Sequence, residues 1–428
     1  MIKKKIAIIG GGIAGLTAAY LLREKYDIML FEKSDRIGGN AYTLTAPDGA
    51  EMDIATAVFG KFSYKNLFRL FRKLDVETVR AFKLNPFTLS SPSLSYYNLD
   101  TEQGMFFTPG FKGLLAQHFA ILRPDRVLSV LCLMHGLKKA QTASRRGDFQ
   151  GLTLEEALQK LPQFRGDAKL LFIGLLCLAT SMQCNDVLEA PADFIFEQLN
   201  VYNDIMLPTP RSLRSIRIAT KGTKWYIDAL SAPYQDRIML NANIRTVTRQ
   251  DAGIRVCMED GRDLSFDKVV FACNADQALQ LLHEPTQQEQ RLLAAWSYTE
   301  SRIVVHSDHT RFPKRELMEG FTFLYRDCGR YVETSVSGSL WALPNVSKKS
   351  DLISTQHPNF PIAKDRIVFE KVFRTPRFDP GSCSTTRELP SLNGVKNTYY
   401  CGSHFGFGLH EDAVTSAMEV ARKLDVHF

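Results

Sequence analysis

The chain has 428 residues, of which 45% are hydrophobic and 23% charged, and its net charge is +7. That length exceeds one simple core and predicts two lobes, while the ordinary composition excludes a fibrous or low-complexity protein. The charge is mild for the length, so no nucleic-acid partner is expected, and no apolar run reaches the ~18 residues of a membrane span.

The first stretch, KKKIAIIGGGIAGLTAAYLL, admits two readings. Lysines before an apolar run could be a leader, but a leader should end in a small-residue cleavage site. Here the run is broken at Gly10, Gly11, Gly12 and Gly15 and passes into LLREKYDIMLFEKS. The pattern predicts a buried strand at Lys5–Ile9, a helix over 13–25 and a second strand at Asp27–Phe31, with Glu32 at its end.

Gly10, Gly12 and Gly15 fit GxGxxG, the turn that brings backbone close to a pyrophosphate and a helix close to its strand. The first helical turn, with Ile13 and Ala14, offers N–H groups and a partial positive charge to phosphate. Glu32 is placed to accept from ribose hydroxyls and to disfavour a 2′-phosphate. Dinucleotide binding is therefore predicted.

Glu32 is followed by KSDRIGGNAYT. This resembles the E-x-x-x-R-x-G-G extension of FAD-dependent amine oxidases, phytoene desaturases and protoporphyrinogen oxidases. The resemblance implies FAD, with Lys33, Arg36, Gly38, Gly39 and Asn40 around its diphosphate. Alternating segments at 243–248 and 254–258 lead to DKVVFACNADQAL, and the resemblance puts Val247 beside the adenine. At 219–230 the family's double glycine is replaced by Lys221, Gly222 and Thr223.

The last segment, TYYCGSHFGFGLHEDAVTSAMEVARKL, resembles the closing FAD motif. Gly402 and Ser403 would approach ribityl and phosphate, and the helix start at Glu411, Asp412 and Ala413 would face the flavin edge. Motifs at both ends and in the middle imply an α/β fold. A Rossmann-type FAD-binding domain is assembled from discontinuous segments, 1–83, 215–285 and 386–428. A substrate domain of mixed sheet and helices comes from 84–214 and 286–385.

NADQALQLL, YTESRIVVHSD and GFGLHEDAVTSA resemble a bacterial branch of predicted NAD/FAD-binding amine-oxidase-like proteins associated with fatty-acid modification. Two positions depart from amine oxidases. The lysine near the flavin falls at Ser301 or Arg302, and one tyrosine of the amine cage falls at Leu409, which cannot attract a cation as an aromatic face does. His410, His404 and Arg302 are the catalytic candidates, with Leu409, Phe407, Trp341 and Tyr331 as candidate pocket walls. His306, in a strand, is expected to be structural.

Patterns at 111–122, 126–140, 153–160 and 168–182 predict helices in the substrate domain, with basic residues at the ends of the first two. Such ends suit contact with a membrane surface. Residues 186–196 and 208–210 are expected to link the domains. The eight cysteines show no CxxC pair and no zinc-like spacing, so no metal site is predicted. Cys132, Cys177, Cys273 and Cys401 lie in apolar contexts that predict buried thiols in a reducing cytoplasm, with any membrane contact peripheral, at its inner face.

The expected activity is FAD-dependent hydride removal from a hydrophobic, acyl- or lipid-like substrate, by desaturation or double-bond isomerisation, with oxygen or a quinone as electron acceptor. A flavin-dependent amine oxidase is the alternative, and a flavin-bound scaffold without turnover is a third reading.

Overall fold

The computed structural model describes residues 3–46, 49, 51–55, 58–81, 93–107, 115, 120–206, 214–251, 253–318, 320–327, 332–343, 346–347 and 349–428. Tyr331, residues 208–210 and most of the expected helix at 111–122 lie outside them; of that helix Leu115, in helical conformation, and the 3-10 turn Ala120–Leu122 are described.

A five-stranded parallel sheet forms the first layer. Its order is Ile238–Met239, Asp27–Phe31, Lys5–Ile9, Lys268–Phe271 and Thr398–Tyr400. Parallel strands covered on both faces are continuous apolar runs, and KIAII and KVVF are such runs. The start, middle and end of the chain thus supply neighbouring strands. The helix Ile13–Leu22 is buried on every side, as its all-round apolar sequence requires. It packs against the closing helix His410–Lys423.

A buried ionic cluster binds the middle of the chain to its end. Arg249 Nη1 lies 2.6 Å from Glu289 Oε1, with the two side chains 6% and 2% exposed. Tyr400, on the last strand, donates to the same carboxylate oxygen at 2.5 Å. Thr286 supplies its N–H and hydroxyl to the other oxygen, at 2.7 and 2.9 Å. All of the acid's partners are in place, which is the condition for burying it.

The second large sheet has seven strands in the order Ile367–Pro376, Tyr298–His306, Ile353–Gln356, Val332–Ser339, Gly320–Asp327, Ser93–Asn98 and Gly104–Phe107. Only the pairing of Gly320–Asp327 with Ser93–Asn98 is parallel. Helices cover one face. Pro124–Arg146 starts with proline at its first position and stops at Gly147, whose φ of 81° closes it. Asp167–Thr180 approaches the sheet so closely that a Cβ on Gly174 would lie 2.8 Å from the Phe323 ring.

Residues 186–196 are not a linker. They fold into Cys184–Glu189 and Ala192–Val201, whose Val187, Ile195, Phe196 and Leu199 are fully buried. Pro191 stands at the boundary, where its missing N–H costs nothing.

Arg249→Met would leave Glu289 buried without its cation. It is expected to destabilise the protein by about 3–5 kcal/mol, measured by urea unfolding, whereas a loss below 1 kcal/mol would show the pair to be incidental.

Candidate functional site

A cavity of about 1410 Å³ runs from the glycine turns of the parallel sheet to the helices over the seven-stranded sheet. That exceeds the roughly 300–1,000 Å³ of a single small-molecule pocket, so a dinucleotide leaves space for a second molecule.

The cradle is built by close backbone approach. A Cβ on Gly15 would sit 1.9 Å from the Gly10 carbonyl oxygen, and one on Gly10, whose φ is +112°, would sit 2.8 Å from Ala272 backbone. A Cβ on Gly12, by contrast, would meet nothing within 4 Å, because Gly12 faces the cavity. Ile13 and Ala14 border the cavity too, and N–H groups of a first helical turn have no intrahelical acceptor.

The second glycine pair docks on the first turn. Gly38 N–H donates to the Gly11 carbonyl at 2.8 Å, and a Cβ on Gly39 would fall 3.1 Å from Gly12 Cα. Arg36 braces this loop, donating to the carbonyls of Ile37, Ala41 and Gly39. Glu32 braces the other side. One carboxylate oxygen accepts from Gly11 N–H at 2.7 Å, and the other from the Ser34 N–H and hydroxyl at 2.9 and 2.7 Å. Lys33, Arg36, Gly38, Gly39 and Asn40 all border the cavity.

Gly402 and Ser403 reach it from the other end of the chain. Their turn is pinned by Ser416, whose hydroxyl accepts from Gly402 N–H at 2.9 Å; nothing in the motif had marked that residue. An open cradle at Gly12 faced by Glu32 and by a second glycine turn fits the diphosphate and ribose of FAD.

Several expected site residues stand elsewhere. Val247 is fully buried between strands, its carbonyl accepting from His283 N–H at 2.9 Å, and Ala242, Asn243 and Ile244 border the cavity in its place. Glu411 and Asp412 turn away. Glu411 accepts from the N–H groups of Asn66 and Leu67 at 2.8 and 2.9 Å, capping the helix Lys65–Lys73. Asp412 accepts from the Tyr202 hydroxyl at 2.7 Å and from Leu409 N–H at 2.8 Å. Only Ala413 of the three borders the cavity.

Arg302 also points outward. Side chains alternate along a strand, so Ser301 and Ile303 face the cavity while Arg302 pairs with Glu370 at 2.7 Å on the neighbouring strand. Ser301 Oγ accepts from Gln356 Nε2 at 2.8 Å, and that amide also donates to the Ser181 carbonyl at 3.1 Å. Trp341 belongs to a separate cluster with Met318 and Ile353, under the Arg315 guanidinium at 4.2 Å. His306 is fully buried, with Nε2 2.8 Å from the Thr355 hydroxyl.

His404, Phe407, Leu409 and His410 do border the cavity. His410 Nε2 lies 2.5 Å from the hydroxyl of Tyr226, a residue whose partnership across 184 positions no local pattern could show. Burial pushes the pKa of both His404 and His410 down to about 4, so both rings are neutral at pH 7. Burial pushes Glu411 up to about 7 and Asp412 up to about 6.

The helix Gly222–Ser231 explains the missing double glycine. Gly222 alone needs the left-handed conformation, at φ +77°. Thr223 gives its N–H and hydroxyl to the buried Asp53 at 2.9 and 2.7 Å.

Residues 13–351 match the family described as "Flavin containing amine oxidoreductase". The chain belongs to this family. FAD is therefore its cofactor. Among curated relatives, an L-amino-acid oxidase from Siganus canaliculatus is 22% identical over 350 residues, 76% of this chain. The chain spans 61% of the length of that relative. The family fold is shared with a CLA-producing fatty acid isomerase from P. acnes, at TM-score 0.70, 16% identity and 98% of both chains. It is shared equally with a putrescine oxidase variant, at TM-score 0.70, 13% identity and 99% of both chains.

Two substitutions separate cradle from scaffold. Gly12→Val should purify without FAD while keeping the folding stability of the parent apoprotein within about 0.5 kcal/mol, whereas Gly15→Ala should lose about 3 kcal/mol of stability. Absorbance spectra and urea unfolding check both; a flavin-loaded Gly12→Val protein would refute the cradle. Glu411 supplies a pH test. Its native pKa of about 7 lies above its ordinary 4.5, so the folded state holds the proton longer than the unfolded chain does. Its contribution is full below pH ~4.5 and is lost as pH rises through ~7. Glu411→Gln should therefore gain stability relative to the parent between those limits and run parallel above them, as read from melting temperatures across pH.

Proposed function

We propose that the protein dehydrogenates an apolar, acyl- or lipid-like substrate held in the cavity beyond the cradle. The observation that supports this is the lining there. Val130, Leu133 and Met134 come from Pro124–Arg146, and Leu171, Leu175 and Leu178 from Asp167–Thr180. No cavity-bordering residue on these helices, or on strands Tyr298–His306, Gly320–Asp327, Val332–Ser339 and Ile353–Gln356, is ionisable, and the neighbouring strand Ile367–Pro376 brings only the cations Lys371 and Arg374, which offer an ammonium group no counter-ion.

An ammonium group in such a space would lose its hydration without a partner, which costs several kcal/mol. Asp53 borders the cavity, but its oxygens already accept from Thr43 and Thr223. The fold itself does not choose, since it serves a fatty acid isomerase and a putrescine oxidase alike.

FAD bound in the cradle supplies a two-electron acceptor, regenerated by oxygen or a quinone. The chain's part is to align the substrate and exclude water. In the reaction, one C–H bond yields hydride and its neighbour yields a proton, leaving a C=C bond. His410 is the proposed first proton acceptor. Tyr226 fixes its ring, and its depressed pKa keeps it neutral and makes it hand the proton on rather than store it. Leu409, at the start of the closing helix, forms part of the apolar wall.

Anaerobic mixing of the holoprotein with unsaturated or branched acyl lipids should bleach the flavin absorbance, and mixing with primary or secondary amines should not. Leu409→Tyr should slow bleaching by lipid about tenfold, equivalent to ~1.4 kcal/mol. Rapid bleaching by an amine alone would replace this reading with amine oxidation.

A further inference from the structure

The outward side of the helix Pro124–Arg146 changes character half-way along. In its first half, Val127, Leu128, Leu131 and Met134 are exposed, Leu128 by 59% and Leu131 by 61%, and Leu122 just before the helix is 61% exposed. Single exposed leucines are normal on a protein surface. Here they recur three and four residues apart, which places them on one helical face. In the second half, Lys138, Lys139, Arg145 and Arg146 are exposed, and none forms an ion pair among the described residues. No Asp or Glu stands between Asp125 and Asp148.

This apolar face meets the cavity. Met134 is 41% exposed and also borders the cavity, beside Val130 and Leu133. Among the described residues no helix is long and apolar enough to cross a membrane, so an occupant of this face must be met from one side.

We infer that the face is a docking surface for an anionic lipid bilayer. The apolar half enters the acyl boundary, and the four cations meet headgroup phosphates. A membrane-resident chain then passes between Val130, Leu133 and Met134 into the cavity. A protein partner would have to supply a greasy patch beside an acidic one, whereas every anionic bilayer supplies both. The portal rests on the reading of the cavity as a lipid site; the docking face does not.

Flotation of the holoprotein with vesicles tests the face. Binding to phosphatidylcholine vesicles containing phosphatidylglycerol should exceed binding to phosphatidylcholine alone at least tenfold, and should weaken as salt rises. Leu128→Asp with Leu131→Asp should reduce it at least tenfold, and so should Lys138→Glu with Lys139→Glu, with flavin content unchanged. Flotation reads binding whether or not the lipid is oxidised, so the test is independent of turnover. Vesicle binding without flavin bleaching by any lipid would therefore keep the docking face and remove the proposed function. Undiminished binding by both variants would overturn the inference, as would absent wild-type binding. A loss confined to self-association, seen by sedimentation, would assign the face to a second copy and overturn it equally.

Discussion

The distance between Gly15 and the Gly10 carbonyl governs much of the rest. With no room for a Cβ there, the helix Ile13–Leu22 lies against the first strand and its N-terminus opens on the cavity at Gly12. Gly38 and Gly39 then dock on the same turn, and Arg36 and Glu32 hold the two loops in register. A cradle made of backbone cannot adapt by changing rotamers. It holds its shape only because the layers behind it are fixed. That is the physical reason for joining strands from three distant parts of the chain into one sheet and tying Arg249, Glu289 and Tyr400 into one buried cluster.

The closing helix His410–Lys423 carries a second constraint. Its first turn holds two buried carboxylates, neither facing the cavity. Glu411 caps another helix, and Asp412 ties Tyr202 to the helix's own start. Burial raises both pKa values, so less negative charge stands at the helix N-terminus than the sequence suggests, and more of the positive helix end is left for the cavity. The adjacent histidines move the opposite way, for the same cause. Burial disfavours whichever form is charged.

The parts of this architecture legible in the sequence are those in which backbone geometry dictates residue type. Gly10, Gly12, Gly15, Gly38, Gly39 and Glu32 could be placed because few residue types satisfy those turns. Arg302 could not be placed, since one residue of phase decides which face of a strand a side chain takes, and Ser301 holds the inward position. Trp341 adjoins Leu340, which borders the cavity, yet a 3-10 turn rotates it into another cluster. Tyr226 and Ser416 act through partners far away in sequence or through a single hydroxyl, and neither leaves a local pattern. Residues 186–196 are expected as a linker, yet proline at a helix boundary is compatible with helices on both sides, as Pro191 shows.

The departures from the amine-oxidising pattern are physically linked. At the position expected for a lysine, Ser301 joins Gln356 and the Ser181 carbonyl in a short neutral chain. A lysine there would bring a charge beside strands Val332–Ser339 and Ile353–Gln356 and helices Pro124–Arg146 and Asp167–Thr180, none of which presents a carboxylate to the cavity, and burial would drive it to its neutral form. Leu409 follows the same logic, since an aromatic cage is useful only where a cation is to be held. The lysine and that one tyrosine are absent together, and the helices above supply mostly apolar side chains. Under the proposed reading, one cavity therefore joins two solvents: a polar backbone cradle for the nucleotide and an oily chamber that selects substrates by shape and by the absence of charge.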